Sequence, residues 1–178
     1  RDYITKGHAD RLQSYTLRMG KRLGLSEEKI NDLHLLSRFH DLGKVGVPDK
    51  ILFKPGPLTE KESQEMQNHC KVGQRIALRS IDLAPIADLI LKHHEWWNGT
   101  GYPLGLRGRD IPLECRILAV VDAYDTMTSE RPYKKAKSHK EATAELRRHA
   151  GTQFDPDLVD LFIEIVGERP INCETTSS

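Results

Sequence analysis

Five of the eight histidines in this 178-residue chain stand in company that suits metal chemistry. His40 is followed by Asp41 at the end of an apolar stripe, and His93 and His94 are adjacent, just ahead of a glycine-rich stretch. Asp122 follows the apolar run Ile117 to Val121 directly. A histidine–aspartate pair or a carboxylate carried into a core is costly unless it is matched or bound to metal. His8 and His69 complete a set of imidazoles and carboxylates suited to divalent Fe, Mn, Zn, Ni or Co. A lone helical histidine is ordinarily a surface or satisfied core residue; the adjacent pairs are what argue otherwise. Seven donors exceed one ion's needs, since a catalytic zinc takes about three protein ligands. Two ions sharing a carboxylate would use them all, and such pairs, ~3.5–4 Å apart, recur in phosphatases and nucleases.

Positioning these residues falls to helices. Leu12, Tyr15, Met19 and Leu23 recur at helical spacing, which predicts a first helix over 3–23 stopped by Gly24. Ser26 caps a second, with Glu27 and Glu28 in its first turn, and this helix delivers His40 and Asp41 before Gly43 breaks it. Pro48, Pro55, Gly56 and Pro57 make 45–58 a loop. Thr59 to Glu62 is a capping box opening a helix expected to carry Met66, His69 and Ile76. Another helix is expected over 83–94. The stretch 96–113 holds Gly99, Gly101, Pro103, Gly105, Gly108 and Pro112; it cannot be regular, and irregular stretches of that length tend to be functional. The run 113–128 reads as a buried helix rather than a strand, because its pattern continues through Ala123, Tyr124 and Met127. Ser138 to Glu141 is a second capping box, and Asp155 with Pro156 opens the last helix. Residues 171–178 form a polar tail after a domain of 1–170.

Composition narrows the function. With 38% hydrophobic and 30% charged residues the chain has an ordinary soluble, single-domain balance. A formal net charge of +1 argues against polymeric nucleic acid as a partner. No apolar run approaches the ~20 residues of a membrane span, so no membrane contact is expected. No signal-peptide pattern stands at the start. Cys70, Cys115 and Cys173 lie far apart and read as reduced thiols in a cytoplasm. Arg1 opens the chain without a methionine, and Asp2 to Lys6 run straight into the helical pattern. A domain excised from, or processed out of, a longer protein is expected.

The order of these residues resembles the HD-GYP subgroup of the HD-domain phosphohydrolases. His8, His40-Asp41-Leu42-Gly43-Lys44, His69, His93-His94-Glu95 and Asp122 follow its ligand order, and Gly99, Gly101-Tyr102-Pro103 and Gly105-Leu106 follow its signature loop. Ile111-Pro112, Asp125, Arg131-Pro132-Tyr133-Lys134 and Gly151 to Pro156 extend the likeness over nearly the whole chain. The resemblance implies an all-α helical bundle with a glycine-rich GYP loop. It implies a cytoplasmic bacterial enzyme of two-component signal transduction that hydrolyses cyclic di-GMP to linear pGpG, with GMP as an open further product. One ion would take His8, His40, Asp41 and Asp122; the second would share Asp41 and add His69, His93 and His94. Fe or Mn are the favoured ions, with Zn, Ni and Co also compatible. Catalysis would rest on Asp41 and on Lys44 beside the scissile phosphate. Arg131 and Lys134 would hold phosphate oxygens, and Tyr102 and Asp125 would line the substrate pocket.

Gly101, Tyr102 and Pro103 would also form a docking loop for a diguanylate cyclase (GGDEF) domain, and a homodimer is compatible with the pattern. Another cyclic dinucleotide as substrate, or a signalling module with vestigial catalysis, stays open. Two positions depart from the family. Ile4 stands where some members place a glutamate for a third metal, so two ions are expected. Asn98 stands where many have aspartate, and Asn-Gly is a good turn pair. His34, six residues before His40, points to another face of its helix, and His139 and His149 read as surface residues.

Overall fold

The computed structural model describes residues 7–130 and 135–167. Among them no strand forms, and the architecture is a helical bundle. Its helices are α1 (His8–Arg22), α2 (Glu27–Phe39), α3 (Asp49–Leu52), α4 (Glu60–Gln67), α5 (His69–Ala77), α6 (Ala87–Lys92), α7 (Leu113–Thr128), α8 (His139–Arg148) and α9 (Pro156–Gly167).

The bundle is organised around α7. Cys115, Ile117, Leu118, Val120, Val121 and Tyr124 are all buried, so this helix is apolar around most of its circumference, as a central helix must be. Its neighbours α1, α2, α8 and α9 turn Leu12 and Met19, Leu33 and Leu36, Ala142 and Leu146, and Val159 and Phe162 toward it. The expected caps form. Ser26 accepts from Lys29 N–H, and Thr59 and Ser138 make full capping boxes with Glu62 and Glu141. Asp155 accepts from the Asp157 N–H at the head of α9.

The structure departs from the sequence reading in four places. The expected loop over 45–58 contains the end of a 3₁₀ turn, Leu42–Gly46, and then α3, because Ile51 finds a buried site there. The helix expected through Met66, His69 and Ile76 divides at Asn68 into α4 and α5, which places His69 at the first position of α5. The helix expected over 83–94 is a 3₁₀ turn, Ala84–Ile86, followed by α6. Gly7, whose φ of 89° lies in the left-handed region, caps α1 at His8 and so interrupts the helix expected over 3–23, of which residues 3–6 lie outside the described residues.

Gly43 does more than end α2. A Cβ there would lie 1.9 Å from the His69 carbonyl oxygen and 2.5 Å from Gly73 N. Only a residue without a side chain lets the 3₁₀ turn press against α5, and that contact brings Asp41 to His69.

A candidate two-metal centre

Each expected ligand sits at an end or on an inner face of a helix. His8 opens α1, His40 closes α2, Asp41 precedes the 3₁₀ turn, His69 opens α5, His93 closes α6 with His94 next, and Asp122 lies within α7. The donor atoms of His8, His40 and Asp122 lie within 4.8 Å of one another. Those of His69, Cys70, His93 and His94 form a second such group. Asp41 faces both. Its Oδ2 is 3.5 Å from His40 Nε2, and its Oδ1 is 3.6 Å from His69 Nε2 and 4.0 Å from His93 Nε2. The structure thus draws all seven expected ligand residues together.

Hydrogen bonds fix which ring nitrogens face inward. The Nδ1 atoms of His69 and His93 lie 2.8 and 2.7 Å from the carbonyl oxygens of Met66 and Ile90, which can only accept. Both Nδ1 atoms therefore carry the proton, and both Nε2 atoms present lone pairs. These two lone pairs face each other at 3.4 Å. Burial pushes the pKa of His69 down, that of His93 well down and that of His94 to about 3, so no ring proton relieves the opposition. Burial alone would raise the Asp41 pKa, but His40, Lys44 and His93 hold it well below the usual carboxylate range. Asp41 Oδ1 and His40 Nδ1 are buried without a hydrogen-bond partner. Inward lone pairs, an ionised carboxylate and an orphaned buried oxygen are the donor set a divalent cation satisfies.

Asp125 makes contacts that the sequence reading did not include. Its side chain is buried, with Oδ2 2.6 Å from His8 Nδ1 while Arg11 donates to both oxygens, and with Arg11 and Ser129 it borders an open cleft of about 460 Å³. Burial raises its pKa, yet the hydrogen bonds from His8 and Arg11 outweigh that and lower it. This is the carboxylate–histidine arrangement that orients a metal ligand. Neither Arg11 nor this role of Asp125 was legible in the sequence. The available signal was Asp122 and Asp125 three residues apart on one helical face.

Lys44 donates to Asp41 Oδ2 at 2.6 Å, at the mouth of the site, rather than pairing with Asp49. Tyr102 lays its ring against His94, with centroids 4.9 Å apart. Gly101 lets that loop close: a Cβ there would fall 2.2 Å from Trp96 N. Glu95, given no role from sequence, is buried and accepts from the Leu104 and Leu106 N–H groups, which fastens the loop beside Tyr102 and Pro103. Two clefts flank the ligands. One, of about 280 Å³, is bounded by His40, His94, Trp96, Asp122 and Met127; the other, of about 390 Å³, by Phe39, Asp41, Lys44, Val45 and Phe53. His34 is exposed and apart from the cluster, as expected. His139 is exposed too, although its Nδ1 lies 2.9 Å from the Tyr124 hydroxyl. Arg131, Lys134 and Ile4 lie outside the described residues.

The family model described as "HD domain" matches residues 2–158. The chain is 40% identical over 172 residues to a cyclic di-GMP phosphodiesterase of Thermotoga maritima, covering 94% of this chain and 46% of that protein. It is 38% identical over 162 residues to a 3'3'-cGAMP-specific phosphodiesterase of Vibrio cholerae, covering 90% of this chain and 31% of the relative. The crystal structure of a cyclic GMP-AMP-specific phosphodiesterase of V. cholerae superposes with a TM-score of 0.71 at 24% identity, over 90% of this chain and 44% of that one, a likeness of fold. The chain spans less than half the length of these relatives.

Proposed function

Since this chain belongs to the HD-domain family, and carries the HD-GYP signature in its own sequence, we propose that it is a metal-dependent phosphodiesterase hydrolysing cyclic di-GMP to linear pGpG. The observation that carries the reading is the pair of opposed Nε2 lone pairs of His69 and His93 beside an Asp41 carboxylate turned to both ligand groups. His8, His40, Asp41 and Asp122 would hold one ion, and Asp41, His69, His93 and His94 the other. Two such ions supply charge for the phosphodiester oxygens and lower the pKa of a water.

The remaining roles belong to the chain. Asp125 holds His8 with Nε2 toward the ligands. Lys44, within reach of the site's mouth, neutralises charge developing on the phosphate and protonates the departing 3′ oxygen. Tyr102 and Asp125 line the substrate pocket, and Glu95 keeps the loop of Tyr102 in place. Arg131 and Lys134 grip phosphate oxygens. Iron or manganese as the ions, a cytoplasmic setting and a GGDEF-domain partner on Gly101, Tyr102 and Pro103 belong to the same reading. No helix among the described residues is long and apolar enough to cross a membrane, which is compatible with that setting.

The kinship with a cGAMP-specific enzyme supports a second reading, in which a mixed cyclic dinucleotide is preferred. Anaerobically purified protein, loaded with Fe(II) or Mn(II), should be given cyclic di-GMP and 3'3'-cGAMP in parallel and the products separated by chromatography. Faster conversion of cyclic di-GMP to a linear dinucleotide supports the first reading. Cleavage of cGAMP alone establishes the second.

A further inference from the structure

The two ligand groups are not equivalent, because only the second contains sulfur. Cys70 follows His69 at the start of α5, is fully buried, and places Sγ 3.6 Å from His69 Nε2, on the ring edge that faces His93. Its sulfur lies within 4.8 Å of the donor nitrogens of His69, His93 and His94. These separations match the edges of a coordination polyhedron. With metal–sulfur and metal–nitrogen bonds of about 2.3 and 2.05 Å, neighbours at the roughly 90–120° angles of a five-donor site that also holds Asp41 sit roughly 3.1–3.8 Å apart for S and N and roughly 2.9–3.6 Å for N and N. The observed distances are 3.6 Å for Cys70 to His69 and 3.4 Å for His69 to His93. Cys115, the other described cysteine, instead donates its thiol to the Leu89 carbonyl in the core.

We propose that Cys70 is a ligand of the second ion, so that this position combines a thiolate with imidazoles while the His8, His40 and Asp122 position has only nitrogen and oxygen donors. The inference rests on the two-metal reading and refines it. On ion binding the Cys70 S–H proton passes to solvent and the sulfur lone pair forms the bond. A soft donor biases that position toward Zn(II), Co(II) or Fe(II) over Mn(II), whereas the first position keeps no such preference. The two sites of one molecule should therefore fill with different metals when offered a mixture.

The test reads the bond itself rather than turnover. Protein loaded anaerobically with two cobalt ions per chain should show a sulfur-to-cobalt charge-transfer band in the near ultraviolet. Zinc-loaded protein should show a sulfur shell at about 2.3 Å by X-ray absorption. Both signals should vanish in Cys70→Ser and persist in Cys115→Ser, with circular dichroism checking the fold of each. Wild-type protein carrying two ions but no sulfur shell overturns this inference and leaves the two-metal reading standing; so does a shell that survives in Cys70→Ser. If Cys70→Ser does not fold, the wild-type shell together with its retention in Cys115→Ser and in a chain ending at residue 170, which lacks Cys173, assigns the sulfur by elimination; its loss in either variant overturns the assignment. Wild-type protein that takes up no ions overturns both readings.

Discussion

Replacing Asp125 with asparagine should weaken the binding of one ion while leaving that of the other. The reason is donor arithmetic. Arg11 reaches both carboxylate oxygens, Nε to Oδ1 at 2.5 Å and Nη2 to Oδ2 at 3.0 Å, while His8 Nδ1 lies 2.6 Å from Oδ2. A guanidinium can only donate. An amide that keeps oxygen toward His8 puts its NH₂ against Arg11 Nε, donor to donor. An amide that turns NH₂ toward His8 requires Nδ1 to accept, which moves the imidazole proton to Nε2 and removes the lone pair from the ligand group.

Loss of such an orienting partner typically lowers metal affinity or activity ~10–100-fold, or about 1.4–2.7 kcal/mol. Arg11 is partly exposed, so its charge can return to water and the fold should survive with a penalty of ~1–3 kcal/mol. The assay is competition with a chromophoric chelator, resolving two affinities in wild type and variant. The weaker affinity in Asp125→Asn should belong to the position of His8, His40 and Asp122. The double variant Arg11→Met, Asp125→Asn should recover part of the loss, because the amide oxygen is then free to serve His8. Two unchanged affinities in Asp125→Asn, or a double variant worse than the sum of the singles, would refute the tautomer argument.

Other perturbations follow from the same reading of the site. Lys44→Met should lose ~10²–10³ in kcat with its metals and fold intact, read by steady-state kinetics beside metal analysis. Arg131→Ala and Lys134→Ala should raise KM for cyclic di-GMP at unchanged metal content, and wild-type kinetics in both would remove them from the substrate. Glu95→Gln leaves one of the Leu104 and Leu106 N–H groups facing a donor, at ~1–3 kcal/mol. At roughly 2–4 °C per kcal/mol for a domain of this size, Tm should fall by several degrees in a thermal scan. Restoring metal to chelated protein at a hundred times Kd should contribute ~2.7 kcal/mol per site, and a Tm unmoved by metal would contradict a centre formed in the folded chain.

The helical bundle and the candidate ligand residues were legible because both rest on local chemistry. Caps such as Thr59 and Ser138 announce themselves through a glutamate three residues on, and the buried run of α7 continues at helical spacing through Tyr124 and Met127. The histidines and aspartates stood out by adjacency to one another or to apolar runs, and the family resemblance supplied their grouping. What could not be read depends on contacts far apart in sequence. Arg11 and Asp125 are 114 residues apart. The break at Asn68, which puts His69 and Cys70 side by side at the start of α5, carries no proline or glycine to mark it. Gly43 looks like a helix stop, and its closeness to the His69 carbonyl becomes visible only when α5 is packed against it.

The central claim is that Asp41 joins two ion positions, and counting ions in wild type and in Asp41→Ala tests it most directly. Anaerobically loaded wild-type protein should carry two divalent ions per chain by elemental mass spectrometry. Asp41→Ala, folded by circular dichroism, should lose both ions together with hydrolysis of cyclic di-GMP, since each ligand group gives up a carboxylate oxygen. Full occupancy in that variant, or a wild-type protein that binds a single ion with full activity, would contradict the account.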